Sequence, residues 1–313
     1  MSDLIAKAAS CQQSSQQCSA IRLLLEAVEQ DLGGFSVRRF LPSNKLAHIG
    51  PFIFFDHLGP AIFPPGKGID VRPHPHIGLA TVTYVFSGEI LHRDSLGHVQ
   101  AIRPDEINWM TAGKGISHSE RTPPQLRQQE HVLEALQLWV ALPEEEQECE
   151  PFFTHYDERA LPVVAAKGRK IRVMVGEAYG VKSAVKVHSQ TLYIEVDLAA
   201  GETLNVPDHV AERAVYVISG RLLMQQTVIS VHSMAVLTDA KNIELKALDN
   251  TRLVIIGGKP LGKRTVWWNL VSSRKDLIEQ AKQDWRNRSF PQVPDEDEYI
   301  PVPNKSIDAQ EEQ

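Results

Sequence analysis

His74-Pro75-His76 and His118-Ser119-Glu120 place metal-binding side chains two residues apart in two separate stretches of the chain. In an extended strand alternate side chains share a face, so His74 and His76 point one way together, and so do His118 and Glu120. Two strands can therefore offer three imidazoles and one carboxylate to a single ion. Such a donor set holds Fe, Mn, Co, Ni, Cu or Zn, and ligand type alone does not choose among them. Ligands drawn from one face of a barrel leave adjacent coordination positions open, which suits a metal that takes substrate and dioxygen together. A closed structural zinc site more often uses cysteine, and none is near these residues in the sequence. Twelve histidines in 313 residues bring some together by chance, and HxH alone is a weak signal. The second period-two pair strengthens it, as does the 42-residue spacing from His76 to His118, which leaves room for two or three hairpins.

The elements that would position these strands form an internal repeat. Tyr84-Val85-Phe86-Ser87-Gly88 is echoed by Tyr216-Val217-Ile218-Ser219-Gly220, an offset of 132 residues that also aligns Pro75 with Pro207. Each copy is a series of short runs rich in Val, Ile, Thr and Tyr, broken by Gly, Asp, Asn and Pro at hairpin spacing, so two antiparallel barrels or sandwiches follow. The first copy is expected to hold strands near 80–86, 89–93, 99–102, 107–110, 118–121 and 136–142. Turns fall at Ser95-Leu96-Gly97-His98 and Arg103-Pro104-Asp105-Glu106, and the loop Ala112-Gly113-Lys114-Gly115 delivers the chain to His118. The second copy is expected to hold strands near 171–175, 191–197, 214–219, 227–231, 243–248 and 253–256. Its HPH positions are Val206-Pro207-Asp208, and no His/Glu pair matches 118 and 120, so one copy reads as built for metal.

Outside the repeat, Leu23-Leu24-Leu25 satisfies neither the helical nor the strand period, and Gly33-Gly34 ahead of Phe35 to Leu41 favours a hairpin. Pro143 to Pro151 carries five Glu and reads as an exposed connector. Ser272 or Ser273 is placed to cap a helix whose apolar stripe is Leu277, Ile278, Ala281 and Trp285. Phe290 to Gln313, with four prolines and seven acidic residues, should be an extended strap or a disordered tail. The domain reading is a flexible segment 1–20, a metal-binding barrel 21–143, a connector 144–165, a second barrel 166–270, and a helix with an acidic Pro-rich tail 271–313.

With 33 basic against 39 acidic residues the chain lacks the cationic excess of a nucleic-acid or anionic-membrane binder. No apolar run is long enough for a signal peptide or a membrane span, so a cytoplasmic protein is expected. Cys11, Cys18 and Cys149 form no disulfide framework and read as free thiols. His57, and His92 with Asp94, are candidates to orient metal ligands through the imidazole N–H that faces away from the ion. Trp109 and Met110 read as core, and Trp267-Trp268 as structural.

Together these residues resemble the pirins, members of the cupin superfamily. The likeness runs from Asp31-Leu32-Gly33-Gly34 through Pro51-Phe52-Ile53-Phe54-Phe55-Asp56-His57, Arg72-Pro73-His74-Pro75-His76-Ile77-Gly78, His92-Arg93-Asp94-Ser95 and Trp109-Met110-Thr111-Ala112-Gly113 to His118-Ser119-Glu120. It is strong in the N-terminal half and weak in the C-terminal half. The resemblance implies an all-β bicupin, two cupin-type antiparallel β-barrels with a short C-terminal helix. It also implies one divalent metal, usually iron, in the first barrel, and gives ligand roles to His74, His76, His118 and Glu120. It departs at Ala80, where many pirins carry Glu, so any function of that carboxylate is absent here.

Some pirins open the flavonol quercetin with dioxygen. The resemblance thus implies an Fe(II) dioxygenase acting on quercetin or a related flavonol or enolic aromatic, with Glu120 as candidate base. A tight Glu120–metal bond would lower its basicity, so the base role needs Glu120 to release the metal or to act through its free oxygen. The alternative it carries is an iron-dependent redox-sensing regulatory protein acting through protein partners. The oxygenase needs an open apolar pocket over the ion, the regulator an exposed interaction patch. A cupin isomerase or Zn/Mn hydrolase would need several polar substrate-binding groups, whereas the runs 79–86 and 107–110 are apolar.

Overall fold

The structure, a computed structural model, describes residues 19–31 and 35–303. The flexible segment and the thiols expected at Cys11 and Cys18 lie outside the described residues, as does the turn at Gly33-Gly34. Two compact units interleave along the chain. The histidine-bearing unit takes Glu29–Leu41, Phe52–Glu158 and Leu261–Gln313, and the other takes Met1–Val28, Pro42–Pro51 and Arg159–Pro260.

Each unit pairs a seven-stranded sheet with a four-stranded one. In the histidine-bearing unit the large sheet runs Phe152–Tyr156, Ile107–Thr111, Leu79–Ser87, His131–Ala141, Phe52–Phe63, Ser36–Leu41, Val28–Asp31. The small sheet runs Asp70–His76, Ile116–Arg121, Ile90–Asp94, Val99–Ile102. The second unit repeats the plan with Ile21–Glu26, Ser233–Leu237, Glu212–Ser219, Thr251–Gly258, Thr191–Leu198, Arg169–Val175 and Val163–Ala166. Its small sheet is Thr203–Asn205, Glu244–Ala247, Leu222–Met224 and Thr227–Ile229. The echoed Tyr-Val-x-Ser strands, Leu79–Ser87 and Glu212–Ser219, are third in their large sheets, as a true repeat requires. β-branched and aromatic residues fill both because a central strand must pack along its whole length. This is the all-β, two-barrel architecture expected from the sequence.

Two local expectations are corrected and one strand is added. Ile21–Glu26 does not make the hairpin with Ser36–Leu41; it pairs with Ser233–Leu237, and Val28–Asp31 takes the place beside Ser36–Leu41. A one-strand run of leucines carries no record of so distant a partner. Phe52–Phe63, the longest strand among the described residues at 12 residues, is not evident from the sequence, because Gly59-Pro60 interrupts it. Those two residues sit where the register with His131–Ala141 shifts, between Leu133 and Ala135, a place where a strand tolerates proline. The helix Lys275–Arg286 buries Ile278, Ala281 and Trp285 as expected, but it starts at Arg274 with no side-chain cap. Ser272 and Ser273 instead bond Gln147, and Ser272 Oγ accepts the Arg274 N–H. Among the described residues no helix is long and apolar enough to cross a membrane.

Candidate metal centre

Ile116–Arg121 lies in the interior of the small sheet. Antiparallel pairing sets His118 opposite His74 on one side and Asp94 on the other, and Glu120 opposite His92. Because these positions alternate, all of them face one way. The register with Asp70–His76 slips between His118 and Glu120, a bulge that re-aims the carboxylate relative to the imidazoles. The loop leading to this strand turns at Gly113 (φ +49°), where a Cβ would fall 2.0 Å from the Cys149 carbonyl oxygen, so only glycine fits.

His74, His76 and His118 each offer one ligand nitrogen, and these atoms lie within 4.8 Å of one another. Each Nδ1 is already engaged. That of His74 donates to the Arg72 carbonyl at 2.9 Å, and that of His76 to the Asn269 carbonyl at 3.1 Å. His118 Nδ1 meets His92 Nδ1 at 3.4 Å. His92 Nε2 donates in turn to Asp94 Oδ2 at 3.2 Å, so His92 Nδ1 keeps a lone pair for the His118 proton. The Nε2 atoms are thereby left as the inward donors, and those of His76 and His118 face each other at 3.1 Å.

Burial pushes the His74 pKa down to about 4 and, with the neighbouring imidazoles, holds those of His76 and His118 well below the usual value. Three neutral, buried, convergent Nε2 lone pairs are what a first-row divalent metal binds. Burial would push Asp94 up, but its bonds to His92 and His98 bring it below the usual range, and it stays a carboxylate.

Glu120 is not part of the three-nitrogen cluster, though it lines the same cavity. Burial raises its pKa against the lowering influence of His92 and of a hydrogen bond from Thr83. Thr83 Oγ1 lies 3.1 Å from Glu120 Oε1 and 2.8 Å from Gln137 Oε1, and its single proton serves one of them at a time.

Over the imidazoles lies a largely apolar cavity of about 200 Å³. Trp139 packs edge-to-face with the His76 ring (centroids 5.3 Å) and stacks on Phe54 at 4.1 Å. Arg39 covers Phe54 and holds Asp56 by two bonds of 2.8 and 2.9 Å. Trp268 and Ile300 close other sides. Trp268, expected to be structural, thus lines the cavity. It sits at φ +52° in the two-residue turn that also aims the Asn269 carbonyl at His76.

Other expectations sort cleanly. His92 reaches His118 and Asp94 reaches His92, while His57 pairs with Glu134 at 3.2 Å. Trp109 and Met110 are fully buried and pack in the core. Thr83, Gln137 and Trp139 were missed. The signal for Gln137 and Trp139 is a polar Gln two residues from a Trp in the apolar run 135–141, hence on one shared face. In the second unit the interior packs aliphatic side chains such as Val173, Ile194, Val215, Val217, Leu245 and Ile255.

The sequence model of pirin matches residues 34–140, and that of the pirin C-terminal cupin domain matches residues 193–291. A pirin-like protein of Caulobacter vibrioides is 46% identical over 288 residues, covering 90% of this chain and 99% of the relative. Pirin of Homo sapiens is 32% identical, covering 83% and 89%. The crystal structure of a quercetin 2,3-dioxygenase from Acinetobacter baumannii superposes with a TM-score of 0.84 at 34% identity, covering 91% of this chain and 96% of that one. Two matched cupin regions, relatives spanning nearly the whole chain, and a three-imidazole centre in the first barrel together place this chain in the pirin family.

Proposed function

We propose that the chain is a mononuclear metal-dependent dioxygenase that cleaves quercetin or a related flavonol or enolic aromatic, with Fe(II) as its metal. The observation that carries this reading is the convergence of three neutral imidazole nitrogens on the floor of an open, aromatic-walled cavity. The quercetin dioxygenase likeness of a 34% identical structure supports the substrate class. His74, His76 and His118 hold the ion through Nε2, with Glu120 as fourth ligand. When bound, the metal supplies a Lewis-acidic, redox-active centre where an enolic substrate and dioxygen meet.

The protein supplies the rest. Trp139 and Phe54 offer a flat apolar wall for an aromatic ring and exclude water. Where Glu120 releases the metal or keeps one oxygen free of it, its carboxylate takes the substrate hydroxyl proton, and Thr83 steadies it through Oε1. If Glu120 holds the metal throughout the reaction, its role is confined to charge and geometry.

Oxygen uptake by Fe(II)-reconstituted protein given quercetin tests this, with His118→Ala treated identically. Uptake by the wild type that the variant abolishes is expected. No uptake by protein shown to hold iron would sink the reading.

A further inference from the structure

Beyond the helix, residues 290–303 run without regular secondary structure, yet they are pinned to the strand that carries His118 and Glu120. Ser117 Oγ donates to the Pro291 carbonyl, and Ser119 Oγ to the Glu296 carboxylate. Arg121 reaches Glu296 at 2.8 Å and Glu298 at 3.0 Å. Glu296 is only 8% exposed, so this pairing is what makes its burial tolerable. Ser117, Ser119 and Arg121 alternate with His118 and Glu120, so the segment crosses the opposite face of the small sheet.

It then reaches the free edge of that sheet, where the Ile300 N–H donates to the Pro73 carbonyl at 2.8 Å. Trp285 Nε1 donates to the Ile300 carbonyl at 2.8 Å. With its backbone held on both sides, Ile300 is fixed in the wall of the cavity that His74, His76 and His118 floor. The matched family regions end at residue 291, so this wall lies outside them.

We propose that Ile300, carried by this strap, is a specificity-determining residue whose side chain sets the size of the aromatic ligand that reaches the three imidazoles. The inference rests on reading the cavity as a substrate site. It assigns the choice among aromatic substrates to a segment beyond the matched cupin regions.

The test uses full-length Co(II)-loaded protein, whose visible spectrum reports ligands on the metal. Wild type, Ile300→Ala and Ile300→Trp are titrated with azide, catechol and quercetin, and metal content is measured in each. Azide affinity and metal content should stay within about twofold of wild type. The ratio of quercetin to catechol affinity should fall about tenfold in Ile300→Trp and move the other way in Ile300→Ala. Glu296→Gln, which loosens the strap, should shift the ratio as Ile300→Ala does.

A ratio within about twofold of wild type in both Ile300 variants overturns the proposal. So does a wild type that takes azide but neither aromatic. Oxygen uptake is read separately: its absence alongside a responsive ratio refutes the dioxygenase and leaves the wall standing.

Discussion

Each of the three imidazoles owes its orientation to a different acceptor, and only that of His118 is another side chain. The Arg72 and Asn269 carbonyls fix His74 and His76 through backbone that no single substitution removes. His118 depends on His92, and His92 on Asp94. Asp94→Ala frees the His92 tautomer and should weaken metal binding by roughly 10–100-fold, read by chelator competition. A loss within about twofold would show that Asp94 acts on its turn alone, where it also accepts the Leu96 and His98 N–H groups.

The same burial gives the metal-free protein an acid sensitivity. His74 titrates at about 4 when folded against an ordinary value of 6.5, so below pH 6.5 the unfolded chain binds more protons than the folded one. Stability of the metal-free protein should therefore fall as pH drops from 6.5 toward 4, seen as a falling urea midpoint. A flat midpoint over that window would contradict it. At this scale the HxH and HxE pairs were legible because strand period alone puts them on one face. The Asn269 carbonyl was not, since it is backbone arriving from 193 residues away and leaves no trace in side-chain pattern.

The strand Ile116–Arg121 has two different faces, with the imidazole cluster and Glu120 on one and the strap's anchors on the other. Its register bulge explains why Glu120 stands apart from the imidazole cluster although the His118/Glu120 spacing alone suggests one shared site. Most strand positions followed from composition, because β-branched runs bounded by Gly, Pro and Asp mark strands wherever they pair. Pairing itself did not follow: Leu23-Leu24-Leu25 looked ambiguous because its partner lies beyond residue 230. Leu25 is nonetheless fully buried, and Leu25→Ala should cost about 2–5 kcal/mol, measured by denaturant unfolding. A cost under about 0.5 kcal/mol would mean that this edge strand contributes nothing to the unit.

The molecule as a whole is one plan executed twice with different interiors. The seven-plus-four arrangement recurs strand for strand, yet aliphatics fill the interior of the second unit while histidines line the first. One tightly held metal ion per wild-type chain is expected from elemental analysis, and none in His118→Ala. A second equivalent retained by that variant would point to a site outside the first barrel.

The order of synthesis runs against the order of pairing. Ile21–Glu26 is made early, but Leu24 pairs with Ala235. At about 5–20 residues per second, roughly 10–40 s of translation separate the two. Throughout that interval an apolar strand carries unpaired N–H and C=O groups, the condition that invites pairing with the wrong chain. Ribosome-stalled chains that have not yet exposed residue 237 should be cut by protease within 19–28, and longer ones should be protected there. For this chain, slow elongation prolongs a hazard rather than relieving one.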